Sequence, residues 1–217
     1  LHGAFLSPID YAKDYAMYSI IPNIGVVSDG KSGAAVLLFR EGLRRITRIA
    51  ADPGSSSEIV LAHLVLAERY DTIPQIIPLR GTPDEALTKA DAVLCVGDAA
   101  LNVRDYPHQL DLVEEWNDTT GHAYVHGMWV ARPAALSPDE ERSIIESALE
   151  GAAGIDQVDG DTEYFRQFRY ELDDDAIASV AEFYRMAYYH GVLRDVPEMR
   201  FYGAAGERPA PSNGDAP

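Results

Sequence analysis

Residues 48–70, RIAADPGSSSEIVLAHLVLAERY, carry the reading that decides the fold. Arg48–Ala51 is a short apolar strand. It stops at Asp52-Pro53-Gly54, and three serines, Ser55, Ser56 and Ser57, open a long apolar helix over Ile59–Tyr70. Ile76–Leu79 then reads as the next strand, giving strand, helix, strand at the spacing of a βαβ unit. The same rhythm extends both ways. Upstream, Gly3–Pro8 is a strand ending at Ser7-Pro8, Ile9–Tyr18 is helix-like, and a loop is expected around Pro22-Asn23. Ile24–Val27 is a strand stopped by Ser28-Asp29-Gly30, Ala34–Phe39 is an apolar run suited to a central strand, and Gly42–Thr47 is a short basic connection. Downstream, Thr82 with Glu85 marks a capped helix start, and Ala90–Val96 is a strand ending at Gly97-Asp98. Asp111–Asp118 is a helical turn, Ala123–Ala131 a strand crossing back, and Ser137–Gly151 and Asp174–His190 are helices. This alternation predicts an α/β protein with mostly parallel sheets flanked by helices. The Gly-, Ala- and Pro-rich tail over 204–217 is expected to be disordered.

Composition narrows the function. The formal net charge is −17, the wrong sign for neutralising nucleic-acid phosphates. No apolar run approaches the length of a bilayer span. One cysteine, Cys95, sits within Ala92–Val96 and reads as a buried core residue, so no disulfide framework or multi-cysteine metal site is available. Among the six histidines, His122 and His126 are four apart but in a strand-like segment without helical metal geometry, no His-Glu-x-x-His occurs, and no metal is expected. An anionic ligand meets an unfavourable long-range field here. It would have to be held by local donors instead: helix amino termini, hydroxyls and backbone N–H groups.

Ser55-Ser56-Ser57 offers such donors, because a helix amino terminus presents free N–H groups and a partial positive charge. Helix capping alone accounts for serine there equally well. The Gly-x₄-Gly-Lys spacing of a P-loop is missing. Asp98, just past a buried strand, and Ser7, at the end of the first, lie where α/β sheets collect ligands. Read locally, Asp98 is also a helix cap after a tight-turn glycine. His126, within an apolar strand, reads as a core histidine with a satisfied hydrogen bond in preference to a base. Glu114-Glu115-Trp116 reads as a solvated helix face anchored by its Trp, and Asp173-Asp174-Asp175 as a helix amino terminus.

Several of these pieces together resemble one family. Val96-Gly97-Asp98-Ala99-Ala100-Leu101, Asp111-Leu112-Val113-Glu114-Glu115-Trp116, Thr120-Gly121 and Val125-His126-Gly127-Met128-Trp129-Val130-Ala131-Arg132 form a series similar to that of chorismate dehydratases of the futalosine route to menaquinone. Leu6-Ser7-Pro8-Ile9-Asp10-Tyr11-Ala12, Ser28-Asp29-Gly30, Asp52 with Ser55-Ser56-Ser57, and Tyr170-Glu171-Leu172 through His190-Gly191-Val192-Leu193 extend the likeness over residues 3–195. The resemblance implies a two-lobed, periplasmic-binding-protein-like (type II) fold. Lobe 1 would take residues 1–31 and return over 127–203, with lobe 2 at 32–126. It further implies a cytoplasmic lyase that dehydrates chorismate to 3-[(1-carboxyvinyl)oxy]benzoate without metal or organic cofactor. Ser7, Ser55, Ser56, Ser57, Asp98 and His126 would line the substrate. The partner is a small carboxylate, chorismate, with no nucleic acid and no membrane, and with room for a homodimer.

Departures from the family pattern fall near that site. The family's first strands, which carry an Asn lining the site, have no counterpart in these 217 residues. Ser57-Glu58 stands where Thr-Ser is usual, Ala34 or Ala35 replaces a serine, and His126 takes the place of an aromatic. Two other readings stay open. One is a non-catalytic binding protein of the same fold gripping a small carboxylate. The other is a sister enzyme acting on a futalosine-derived nucleoside, which the Ala-Ala-Leu after Asp98 disfavours.

Overall fold

The computed structural model describes residues 3–154 and 162–203. The tail expected to be disordered, 204–217, lies outside the described residues. In chain order the elements are β1 (Gly3–Leu6), α1 (Pro8–Lys13), β2 (Ser19–Ser28), β3 (Ala35–Phe39), β4 (Arg48–Ala51) and α2 (Ser56–Tyr70). They continue with β5 (Gln75–Pro78), α3 (Pro83–Leu87), β6 (Ala92–Val96), α4 (Asp98–Leu101), β7 (Gln109–Asp111) and α5 (Leu112–Thr120). The last are β8 (Tyr124–Ala131), α6 (Pro138–Ala153), α7 (Thr162–Phe165) and α8 (Asp174–Tyr189).

Two sheets carry these elements. One has three strands in the order β1-β8-β2, the other five in the order β5-β4-β6-β3-β7. The βαβ reading is right where a helix crosses over. The strand β4 runs parallel to β5 and to β6, with α2 and α3 as the connections. The expectation of mostly parallel sheets is not met, and the sheets are mixed. Parallel neighbours need a crossover of about a dozen residues or more, and the stretch between β3 and β4 is too short to hold a helix. The strand β3 therefore runs opposite to its neighbours and pairs antiparallel with both β6 and β7. In the smaller sheet, β8 lies between β1 and β2 and is antiparallel to each. It splits what would otherwise be a β1-α1-β2 parallel pair.

Two local expectations change. The loop at Pro22-Asn23 is a bulge within one strand. Between the pairs Ile20↔Val130 and Gly25↔Met128, β2 advances further than β8, and Asn23 absorbs the excess at φ 65°, a conformation Asn tolerates well. The expected helix over Ile9–Tyr18 is shorter, ending at Lys13, with a single 3₁₀ turn over Tyr15–Met17. Other details hold. Thr82 and Glu85 form a reciprocal capping box, as do Ser137 and Glu140.

One apolar core bridges both sheets. It contains Ile20 and Val27 from β2, Leu37 from β3, Ile49 from β4, Leu61 and Leu64 from α2, and Phe183 from α8. At its centre, Trp116, Tyr124 and Phe183 meet edge to face, with centroid distances of 5.7–6.4 Å. The Trp116 indole N–H donates to the Ala123 carbonyl at 3.1 Å, so the largest buried side chain leaves no polar atom unsatisfied. Cys95 is buried as expected, and burial pushes its thiol up to about 11.

Asp111 fastens the end of this core. Its buried carboxylate accepts the N–H groups of Val113 and Glu114 at the start of α5. It also accepts those of Ser32 and Gly33 in the turn leading into β3. Four backbone donors thus lose their partner together if it is truncated. Replacing Asp111 by Ala is expected to cost on the order of 2–4 kcal/mol of unfolding free energy, read from denaturant titration. Asp111→Asn, which keeps an acceptor oxygen, should cost clearly less.

Candidate functional site

Of the residues singled out by sequence, Ser7, Ser55, Ser56 and Ser57 lie at the starts of α1 and α2. Ser7 ends β1 and caps α1: its hydroxyl accepts the Asp10 N–H at 3.3 Å and donates to Asp10 Oδ2 at 2.8 Å. Asp10 Oδ1 receives the Ser56 hydroxyl at 3.1 Å and Lys13 Nζ at 2.7 Å. Burial works to raise the Asp10 pKa, but the hydrogen bonds from Lys13, Ser7 and Ser56 outweigh it and hold the carboxyl below its ordinary value. Asp10 is therefore a fixed negative charge. Ser57 is fully buried, and its hydroxyl accepts the Ile9 N–H at 3.1 Å. The start of α2 is thus pinned to the start of α1.

Ser55 is the cap residue of α2, yet its side chain makes no capping hydrogen bond. Among the described residues, no side chain accepts from the N–H of Ser56 or Ser57. The amides of Ser56 and Ser57 at the start of this 15-residue helix thus lack a side-chain cap, while the Glu58 amide meets its own carboxyl.

Tyr124 and His126 approach from β8. Tyr124 is 1% exposed, and its phenol oxygen has no hydrogen-bond partner. The Ser57 hydroxyl lies close enough to favour its ionised form slightly, without a well-formed bond to it. Burial first, and then the charge of Glu58, push the phenol well above its ordinary value. His126 lies two residues on, on the same face of the strand. Its ring meets Tyr124 at 4.9 Å and Phe168 at 5.2 Å, both edge to face, and its Nε2 shares a hydrogen bond with the Ser28 hydroxyl at 2.9 Å. With burial and no counter-charge, its pKa falls to about 4, and His126 is neutral at physiological pH.

Asp98 stands apart from this group. It is exposed at the start of α4, after Gly97 at φ 58°. It connects to the rest through side chains: its charge acts on Tyr164, whose ring packs on Phe168 at 5.1 Å, and Phe168 packs on His126. Beside Tyr164 lies a cavity of about 420 Å³ with Lys31 and Arg104 on its wall, separate from the serines. No group of three His, Cys, Asp or Glu side chains among the described residues is placed to hold a metal ion. His122 and His126 are not a pair, since His122 turns toward Asp175 instead.

Sequence reasoning passed over Tyr124, Tyr164 and Phe168. For Tyr124 the signal was there, because the two-residue period of a strand sets it on the face of His126. For the two α7-proximal aromatics there was none, since only tertiary packing brings them to the strand end.

Solved structures share this arrangement of sheets and helices. The chain is similar to the periplasmic aliphatic sulphonate binding protein SsuA from Escherichia coli, at TM-score 0.56 and 14% identity over 91% of this chain and 77% of that one. It is similar to an ABC transporter protein from Parabacteroides distasonis, at TM-score 0.58 and 15% identity over 94% of this chain and 81% of that one. The two-lobed, periplasmic-binding-protein-like fold is therefore the one expected, with mixed sheets. Protein AF1704 from Archaeoglobus fulgidus matches at TM-score 0.66 and 20% identity, over 88% of this chain and 80% of that one. A family model described as menaquinone biosynthesis matches residues 2–189, and the chain belongs to that family. No described helix is long and apolar enough to cross a membrane.

The His126 pKa shift sets a pH dependence. The folded state favours neutral imidazole, so the stabilisation is complete above the unfolded value of 6.5 and is lost as pH falls toward about 4. The loss should reach about 3 kcal/mol, and His126→Phe should abolish that part of the slope. Unfolding free energies of both proteins at a series of acid pH values provide the check.

Proposed function

We propose that the chain is a carbon–oxygen lyase that dehydrates chorismate to 3-[(1-carboxyvinyl)oxy]benzoate, acting in the cytoplasm without metal or organic cofactor. Family membership over residues 2–189 supports the pathway. The observation that supports the chemistry is the start of α2, where the cap residue Ser55 makes no side-chain capping bond and the half-buried Ser56 hydroxyl reaches across to Asp10.

On this reading, 1–31 and 127–203 form one lobe and 32–126 the other, and Ser7, Ser55, Ser56, Ser57, Asp98 and His126 would line the substrate between them. The reaction asks little of the protein. A ring C–H and the neighbouring C–OH break, the ring becomes aromatic, and one water leaves. Gripping a carboxylate and orienting the ring supplies much of what is needed. A helix terminus grips without a cationic patch, which suits a chain of net charge −17. Neutral His126, between Tyr124 and Phe168, offers an aromatic wall that does not add charge to the ring.

A second reading, a solute-binding protein that holds a small carboxylate without converting it, is favoured by Glu58, a carboxyl where the family pattern has a hydroxyl. One experiment separates the two. Incubation with chorismate should give the aromatic enolpyruvyl product, lighter by one water, with rising aromatic absorbance. Unchanged chorismate that nevertheless binds would establish the second reading instead. Ser56→Ala, which removes one half-buried hydroxyl, should lower kcat/KM about tenfold with little change in stability. An unchanged kcat/KM would remove Ser56 from the site.

A further inference from the structure

We infer that a carboxylate ligand enters the α2 site together with one proton, which Glu58 takes up. This rests on the reading of that site as a carboxylate grip. Glu58 is the third residue of α2, after Ser56 and Ser57, and is partly buried. Asp10 of α1 acts on it, and it acts in turn on the fully buried Tyr124 of β8, whose phenol lacks a partner and lies near the Ser57 hydroxyl of the same helix start. Lys13, the nearby cation on α1, is bonded to Asp10. His126, next to Tyr124 on β8, carries no charge at neutral pH. The helices α5 and α8, also packed on α2, present Glu115, Asp118 and His190 to its far half, at Arg69, Tyr70 and Glu68.

The site therefore holds one carboxylate, Asp10, fixed in its charged form by three donors. A second carboxyl, Glu58, forms no ion pair among the described residues. Burial lifts Glu58 above the usual glutamate range, its own N–H works against this, and Asp10 adds to the lift. A ligand carboxylate at the same helix start would be a third negative group within a few ångströms. Like charges crowded into a partly desolvated site do not all stay ionised. Of the three groups, Glu58 is the one free to yield. Once protonated, it also becomes a hydrogen-bond donor to the anion it would otherwise repel. The departure from the family pattern then becomes a means of tying carboxylate binding to pH.

Calorimetric titration with benzoate, in buffers of different ionisation enthalpy from mildly acid to neutral pH, tests this. About one proton should be taken up per benzoate above the Glu58 titration point, with affinity falling about tenfold per pH unit there. Glu58→Gln should bind benzoate with neither effect. Uptake that persists in Glu58→Gln, or its absence from the unsubstituted protein, would overturn the inference. Carbon-detected NMR of Glu58 in the unsubstituted protein keeps the test sharp should the variant misfold. Its midpoint should rise when benzoate is added, and an unmoved midpoint would refute the idea. Chorismate run alongside separates the two proposals. Binding with proton uptake but no conversion overturns only the lyase, and conversion without proton uptake overturns only the role of Glu58. If neither carboxylate binds, both fail.

Discussion

The amide of Ile9 donates to the hydroxyl of Ser57, and both groups are buried where the two sheets meet. The helix α1 grows from the end of β1 in the three-stranded sheet, while α2 grows from the end of β4 in the five-stranded one. This bond joins the two helix starts directly. Its neighbours reinforce the seam: the Tyr184 hydroxyl of α8 donates to the Pro8 carbonyl at 2.8 Å, and the Tyr11 hydroxyl donates to the Glu198 carbonyl at 3.0 Å. A serine spent in this way is structural as well as functional in position. On the proposed function, meeting a ligand would fall to the amides of the first turn and to Ser55 and Ser56, which are less buried.

Around that seam, burial and hydrogen bonding push three titratable groups apart. Asp10 is held charged by its donors, Glu58 is lifted toward its neutral form, and His126 is kept uncharged between two aromatic rings. Environments that separate the titration of neighbouring groups in this way mark functional sites more often than plain surface does. On the proposed function, the positive end of α2 and neutral donors would meet the ligand beside a charged Asp10.

Much of this was legible in the sequence because local chemistry dictated it. Residues 48–70 specify strand, Ser-rich start and helix, and each appears where expected. The capping boxes at Thr82 and Ser137 are short-range patterns with one geometric outcome. Strand direction was harder, since it depends on which strands become neighbours. The apolar run over Ala35–Phe39 says that β3 is buried, not that it lies antiparallel between β6 and β7. Pro22-Asn23 has the composition of a loop, yet pairing with β8 on both sides carries the strand through it. At the site, the serines were found because they punctuate the chain. The phenol of Tyr124 was not, because its lack of a partner is a fact of tertiary packing. Asp98 was read from its place after a strand, and only folding reveals that Tyr164 and Phe168 stand between it and His126.

On the proposed function, the start of α2, faced by β8, receives the carboxylate ligand. An amide NMR titration with chorismate, assigned through the seam, tests this. The largest and earliest shifts should fall on the amides of Ser56, Ser57 and Glu58, with His126 following. Shifts confined to Lys31, Arg104 and the cavity beside Tyr164, with the α2 start unmoved, would contradict it.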